Sequence, residues 1–411
     1  MLQTEVVITG VGVLCPIGTS KDRVWDALAA GRSGVRTIEF LRAMELPVTI
    51  GGLVEDFDPK PFVPNRKSLK VMPRDAQFGV AAAMMAARDA EVQPGQVAPA
   101  RYGVLLGSDR ISNPLSTAEP AFRACMVDGR FDFSHWGKEG MQVTFPLLFL
   151  TVLPNMVASH VSIALDARGP SNTIHQGDIS GLLAVAEAAQ IVQRGAADLM
   201  LAGGASCQTQ PFDWVRGAAM GRLSTRNSEP AAVCRPFDAD RSGEVFGEGA
   251  ATVALEARHS AQARGAKIRA GLAGWSAASG PAAIERAVGA ALAESGLSPA
   301  DIDHVNAHGA STVVDDAAEA QSLARVLPGT PVTAPKSFFG NLRAAAGAVE
   351  LAMAVLALEH GVVPPTLNYH QFDPECPVEV LREARPLTRP AIVVLGRTPL
   401  GQVSAAVVTR P

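Results

Sequence analysis

ISGLLAVAEAAQIVQRGAADLMLAGG, residues 179–204, is the stretch that sets the fold class. Over residues 179–194 the apolar side chains recur at helical spacing. Gly195 follows, at the position where helices commonly end in a left-handed turn. Residues 198–202 are then a short apolar run closed by Gly203 and Gly204, which reads as a buried strand. A helix feeding a buried strand across a short link is the building unit of an α/β domain. The same grammar extends outward in both directions. Upstream, residues 5–9 and 102–106 read as strands, and residues 22–30 as a helix stopped by Gly31. Downstream, residues 252–256, 304–307, 392–395 and 404–409 read as strands, with helices over 281–294, 317–326 and 344–360. The pattern restarts near Gly249, so two halves are expected, 1–250 and 251–411, with no flexible linker between them.

Composition bounds what such a chain can do. Hydrophobic residues make up 47% and charged residues 18%, which fits a compact globular protein. A formal net charge of -4 gives no basic field to attract nucleic acid. The most apolar stretch, residues 344–358, is interrupted by Gly347 and Glu350 and is too short for a membrane span. Residues 1–5, MLQTE, lead into the first strand without the pattern of an export signal. Cys15, Cys125, Cys207, Cys234 and Cys376 are odd in number and lack paired spacing, so a reducing cytoplasm is expected. The histidines form no dense ligand motif; neither a metal nor a cofactor is expected.

Several stretches together resemble the β-ketoacyl synthase family of the thiolase superfamily. Residues 6–18 (VVITGVGVLCPIG) resemble its opening strand and loop, and Gly169-Pro170-Ser171 the approach to its active-site elbow. Residues 196–206 (AADLMLAGGAS) resemble the strand behind the elbow, and residues 234–249 (CRPFDADRSGEVFGEG) are a long, specific match. Residues 305–312 (VNAHGAST) and 336–350 (KSFFGNLRAAAGAVE) resemble the two catalytic-histidine motifs. The resemblance implies an α/β thiolase-like fold. Two pseudo-symmetric βαβαβαββ halves would form a five-layered α-β-α-β-α sandwich, in an obligate dimer.

A condensing enzyme needs a thiolate to accept an acyl chain, two imidazoles, two backbone N–H donors as an oxyanion hole, and an acyl tunnel. On the resemblance, the nucleophile position falls on Asp178, in the elbow NTIHQGDISG of residues 172–181. A carboxylate is a poor substitute, because its attack on a thioester gives a mixed anhydride of higher energy. The plain reading of an aspartate there is a helix N-cap or a polar group of the tunnel. None of the five cysteines sits on a comparable elbow. His308 matches the first histidine. The second falls on Asn341, whose amide donates a hydrogen bond but carries no positive charge. Lys336 and Glu319 match a lysine and a glutamate of the site's charged network, and keeping them fits a fold whose buried polar groups must stay paired. The oxyanion donor falls on Leu400, next to Pro399, which fixes the backbone where the family's loop is glycine-rich. Residues 274–282 (GWSAASGPA) are shorter than in elongating ketosynthases near the pantetheine entrance, which implies that no carrier protein delivers substrate deeply.

With nucleophile and second imidazole replaced and the loop altered, the resemblance implies a non-catalytic subunit of the chain-length-factor kind. Such a subunit pairs as a heterodimer with a Cys-His-His ketosynthase α subunit in type II polyketide or fatty-acid-like elongation. It meets acyl carrier protein through that complex and shapes the acyl tunnel. Phe145, Leu148, Phe149 and Met156 lie in a run, residues 145–156, that resembles the interface segment crossing into the partner's pocket. Ordinary interface packing is the alternative for these four. Asp178 departs from the glutamine common in that class, and an ionised aspartate opposes an enolate. Two other functions stay open. One is an enzyme with diverted chemistry, using Asp178 and His308 for hydrolysis, cyclisation or acyl transfer. The other is a homodimeric acyl-binding protein.

Overall fold

A computed structural model describes residues 4–111, 115–207 and 210–411. The helix read from residues 179–194 spans Ser180–Gln193. It ends as its glycine dictates: Gly195 has φ +69°, its N–H donates to Val192 O at 3.0 Å, and Ala196 N–H donates to Ile191 O at 3.0 Å. The strand that follows, Leu199–Ser206, is buried along its whole length.

Among the described residues, ten strands form the main sheet. They are β1 (Val6–Leu14), β2 (Tyr102–Ser108), β3 (Ser171–Ile174), β4 (Leu199–Ser206), β5 (Gly249–Ala257), β6 (Ala270–Ser279), β7 (Ile302–Asn306), β8 (Val332–Thr333), β9 (Ala391–Arg397) and β10 (Gln402–Thr409). Their spatial order is β8-β7-β9-β10-β6-β1-β5-β4-β2-β3. Counted outward from the centre, the first five strands run 1-5-4-2-3 and the last five run 6-10-9-7-8, the same order. Pairing direction repeats as well. β5 is antiparallel to β1 and β4, and β2 is parallel to β4 and β3. Likewise β10 is antiparallel to β6 and β9, and β7 is parallel to β9 and β8. The halves join where Val6, Val7 and Ile8 pair with Leu272, Gly271 and Ala270. A division after residue 250 falls just inside β5; by strand order the first half ends at Ala257 and the second starts at Ala270.

Among the described residues, six helices complete the layers: α1 (Arg74–Asp89), α2 (Met156–Leu165), α3 (Ser180–Gln193), α4 (Ala283–Ser295), α5 (Val313–Val326) and α6 (Ala346–His360). α1 covers β1, β4 and β5, with α2 against it, while α4 covers β6 and β10, with α5 against it. α3 and α6 touch strands of both halves and form the middle layer. α6 is buried from Ala346 to Leu358, as a helix with protein on every side must be. The result is five layers: helix, one half of the sheet, helix, the other half of the sheet, helix.

Some elements differ from the sequence reading. α5 starts at Val313 rather than 317 because Thr312 caps it, accepting from Asp315 N–H at 3.1 Å. The stretch read as a shortened access loop, residues 274–282, is strand up to Ser279, leaving residues 280–282 as the link to α4. β6 (AGLAGWSAAS) has no β-branched residue, so propensity hides it. Pairing with β1 and β10 makes it a strand. Among the described residues, no helix is long and apolar enough to cross a membrane.

Candidate functional site

The elbow before α3 is one tight turn, Gly177–Ile179. Gly177 takes φ +56°, a conformation open to glycine. Asp178 follows and is only 1% exposed. The N-cap reading does not hold: α3 has no side-chain cap. The turn's side-chain bonds come from Ser180, whose hydroxyl accepts from Gln176 N–H at 2.8 Å and donates to Gly177 O at 2.6 Å. Asp178 is committed elsewhere. Its Oδ2 accepts from Asn341 Nδ2 at 3.0 Å, and its Oδ1 lies 3.2 Å from Arg343 Nη1.

Asn341 is placed by its backbone. Gly340 before it has φ +79°, and a Cβ there would stand 2.6 Å from Val245 O, so only glycine fits. Asn341 N–H donates to Val245 O at 2.7 Å, and Gly247 N–H donates to Asn341 O at 2.9 Å. These bonds pin the second histidine-like motif to the 234–249 stretch, which delivers Glu244 to the same spot. Asn341 Nδ2 is 3.5 Å from Glu244 Oε2. Arg343 N–H donates to Asn341 Oδ1 at 3.0 Å. Its guanidinium reaches past Asp178 to lie 3.9 Å from Glu244 Oε2 and 3.9 Å from Asp109 Oδ2. Arg222 pairs with Glu244 and, at 3.0 Å, with Asp315. Burial, and then the Asp178 charge, push the Glu244 pKa up.

His308 follows β7 on a loop held by α5. The N–H groups of His308 and Gly309 donate to the Glu319 carboxylate at 2.6 and 2.9 Å. Lys336 Nζ lies 3.2 Å from His308 Nδ1, donates to His308 O at 2.7 Å and holds Glu350 Oε1 at 2.5 Å. The other ring nitrogen, Nε2, is 3.9 Å from Asp178 Oδ2. Burial, followed by the cations Lys336, Arg397, Arg222 and Arg343, holds the His308 pKa well below the usual histidine value, so the ring is neutral at pH 7. Burial raises Glu319 and pushes Glu350 up to about 7. Lys336 and Glu319 thus both serve His308, but the acid paired with Lys336 is Glu350, on α6.

The loop from Thr398 to Gln402 is a closed hairpin. Thr398 N–H donates to Gln402 O at 2.8 Å, and Gly401 N–H donates to Thr398 O at 3.0 Å. Leu400, beside Pro399, is 87% exposed at its tip. A Cβ on Gly177 would stand 3.6 Å from Thr398 Cγ2, so Thr398 is a loop residue that approaches the elbow. Phe145 and Phe149 are exposed, and Leu148 and Met156 half-buried. Phe122, Phe131, Phe133 and Met141, earlier in the chain, are exposed as well.

Sequence reasoning brought Asp178, His308, Asn341 and Lys336 together and missed Arg343, Glu244, Glu350 and Asp109. A signal was present for one of them. Arg343 is the one charge in the mainly small and apolar run 338–349 (FFGNLRAAAGAV), where a charge without a partner would be costly.

The strand order and the elbow define a thiolase-like condensing-enzyme fold. The β-ketoacyl synthase N-terminal domain matches residues 3–261, and the C-terminal domain matches residues 260–370. The chain belongs to the β-ketoacyl synthase family. It is 35% identical to the granaticin polyketide putative β-ketoacyl synthase 1 of Streptomyces violaceoruber, over 99% of this chain and 98% of that one. A β-ketoacyl synthase from Burkholderia phymatum superposes with a TM-score of 0.90 at 31% identity, over 99% of this chain and 100% of that one. The ishigamide ketosynthase/chain length factor superposes with a TM-score of 0.87 at 26% identity, over 100% of each chain.

Proposed function

We propose that this chain is a non-catalytic subunit that pairs with a Cys-His-His β-ketoacyl synthase in type II polyketide or fatty-acid-like chain elongation. It shapes the acyl tunnel, and acyl carrier protein reaches it through the complex. The observation that carries this reading is the nucleophile position. It holds a buried carboxylate engaged by Asn341 and Arg343 instead of a thiol. The partner is supported by a second feature. β3 is a terminal strand of the sheet, α2 packs beside it, and the apolar segment before α2 is exposed. An edge strand flanked by exposed apolar side chains suits docking of a second ketosynthase-fold chain. The expected interface is of the obligate type, roughly 2,000 Å² or more.

Co-expression with a type II ketosynthase carrying cysteine and two histidines tests this. A one-to-one complex is expected, and replacing Phe145, Leu148, Phe149 or Met156 by alanine is expected to lengthen its product. A chain that stays monomeric beside such ketosynthases would sink the pairing, and an unchanged product profile across all four variants would remove these residues from the tunnel wall. Stable self-pairing alone would favour a homodimeric acyl-binding protein. One observation favours diverted chemistry, the 3.9 Å approach of His308 Nε2 to Asp178 Oδ2. Against it, that distance exceeds hydrogen-bond range and Asp178 is already engaged.

A further inference from the structure

Absence of a thiol would be enough to silence the elbow, yet the site also holds a strained arginine. Arg343 sits at φ +51°, in the left-handed region that side chains other than glycine, asparagine and aspartate rarely adopt. Such strain persists only where surrounding contacts enforce it. Here the contacts come from three separate segments. Asp109 follows β2, Asp178 is the elbow, and Glu244 belongs to the 234–249 stretch; all three carboxylates lie within 3.9 Å of the one guanidinium. The guanidinium also stands 5.7 Å from the centre of the Phe246 ring. The Asp178 charge, with Asp109 and Glu244 behind it, outweighs burial and raises the Arg343 pKa, so the group stays charged. Exposure gives its orientation. The Arg343 side chain is 19% exposed, against 1% for Asp178 and 0% for Glu244, so the arginine is on the solvent side of these two acids, with Asp109, 14% exposed, beside it.

We infer that Arg343 is a plug. Its guanidinium fills the approach to the elbow and bars acyl thioesters from residue 178, whatever side chain stands there. An attacking atom must come within about 3–3.5 Å of the acyl carbon, and Arg343 Nη1 already occupies a place 3.2 Å from Asp178 Oδ1. The inference rests on the non-catalytic reading and adds a named residue that enforces it.

The test compares Asp178→Cys with Asp178→Cys/Arg343→Gly. The double change deletes both charges of the ion pair, leaves Glu244 with Arg222, and places glycine where φ is positive. Each protein is incubated with an octanoyl thioester of N-acetylcysteamine, and acylation is followed by intact mass from about pH 6 to about pH 10, a range that brackets thiol ionisation. Unaltered protein supplies the background. That background is expected to be low, since all five native cysteines are buried and burial pushes Cys15, Cys234 and Cys376 up to about 12. Removing the plug is expected to raise the limiting rate at high pH by about 10²-fold, the scale on which misplaced reactants lose rate. The midpoint of the pH profile should move up at the same time, because the thiolate loses its cation. An arginine that acted only through its charge would give the upward midpoint with no rise in limiting rate, and that result would overturn the plug. Arg343→Asn, which also tolerates the left-handed backbone, repeats the comparison if glycine loosens the turn. Acylation of the unaltered protein at Asp178 would instead sink the non-catalytic reading itself, so the two failures are distinct.

Discussion

Lys336→Met is expected to cost the fold about 3–5 kcal/mol, the loss typical when one partner of a buried ion pair is removed. The Lys336 ammonium is 1% exposed and holds the Glu350 carboxylate and the His308 carbonyl at once. Methionine fills the space but leaves the Glu350 carboxylate without its cation in the buried part of α6. The loss should depend on pH in a definite direction. Burial raises Glu350 from about 4.5 in the unfolded chain to about 7 in the fold. The folded state therefore binds the proton more tightly, and this group lowers stability as pH climbs through that window. Without the lysine the folded value rises further and the window widens upward. The variant should thus be closer to the unaltered protein near pH 5, where Glu350 is protonated in the folded form of both, than near pH 8. Denaturant unfolding at the two pH values checks this. An equal loss at both would mean that the stranded Glu350 charge is not the cause.

Asp178→Cys alone is expected to yield no detectable condensation, even though a thiol at the start of α3 should be reactive toward small alkylating reagents. Asn341 cannot supply the imidazolium of the decarboxylation step, and a missing general acid–base group costs about 10²–10⁴ in rate. The hairpin from Thr398 to Gln402 is closed by its own hydrogen bonds. A lost oxyanion donor costs a further 10²–10³ or so. Arg343 stands in the approach as well, so restoring Asn341→His and a glycine-rich loop in place of Pro399 is not enough while the arginine remains. Radiolabelled malonyl incorporation, with the partner's own cysteine replaced, is the assay. Robust product from the single variant would show that the elbow lacks only a thiol.

Particular residues explain why the fold was legible and the site only partly so. Gly195, Gly296 and Gly361 each end a helix in the left-handed region, as glycine does best, so those helices could be read to within a residue or two at their ends. β4, β5 and β9 are apolar runs that burial on both faces requires. β6 stayed hidden because alanine, glycine and serine form a strand there only when β1 and β10 flank it. At the site, motif positions located Asp178, His308, Asn341 and Lys336. The role of each depends on neighbours far away in sequence. Asp178 looks like an N-cap from its own segment, and only the convergence of Asn341, Arg343 and the elbow turns its carboxylate into one side of an ion pair. Glu319 and Glu350 likewise look interchangeable beside His308 until the fold gives the backbone amides to one and the lysine to the other.

Intact-mass measurement of the unaltered chain tests the non-catalytic reading most directly. The chain is incubated with acyl and malonyl carrier protein, first alone and then in complex with a Cys-His-His ketosynthase. Its own mass should stay unchanged in both cases, with the acyl group appearing on the cysteine of the partner. An acyl adduct on this chain that maps to Asp178 would contradict it.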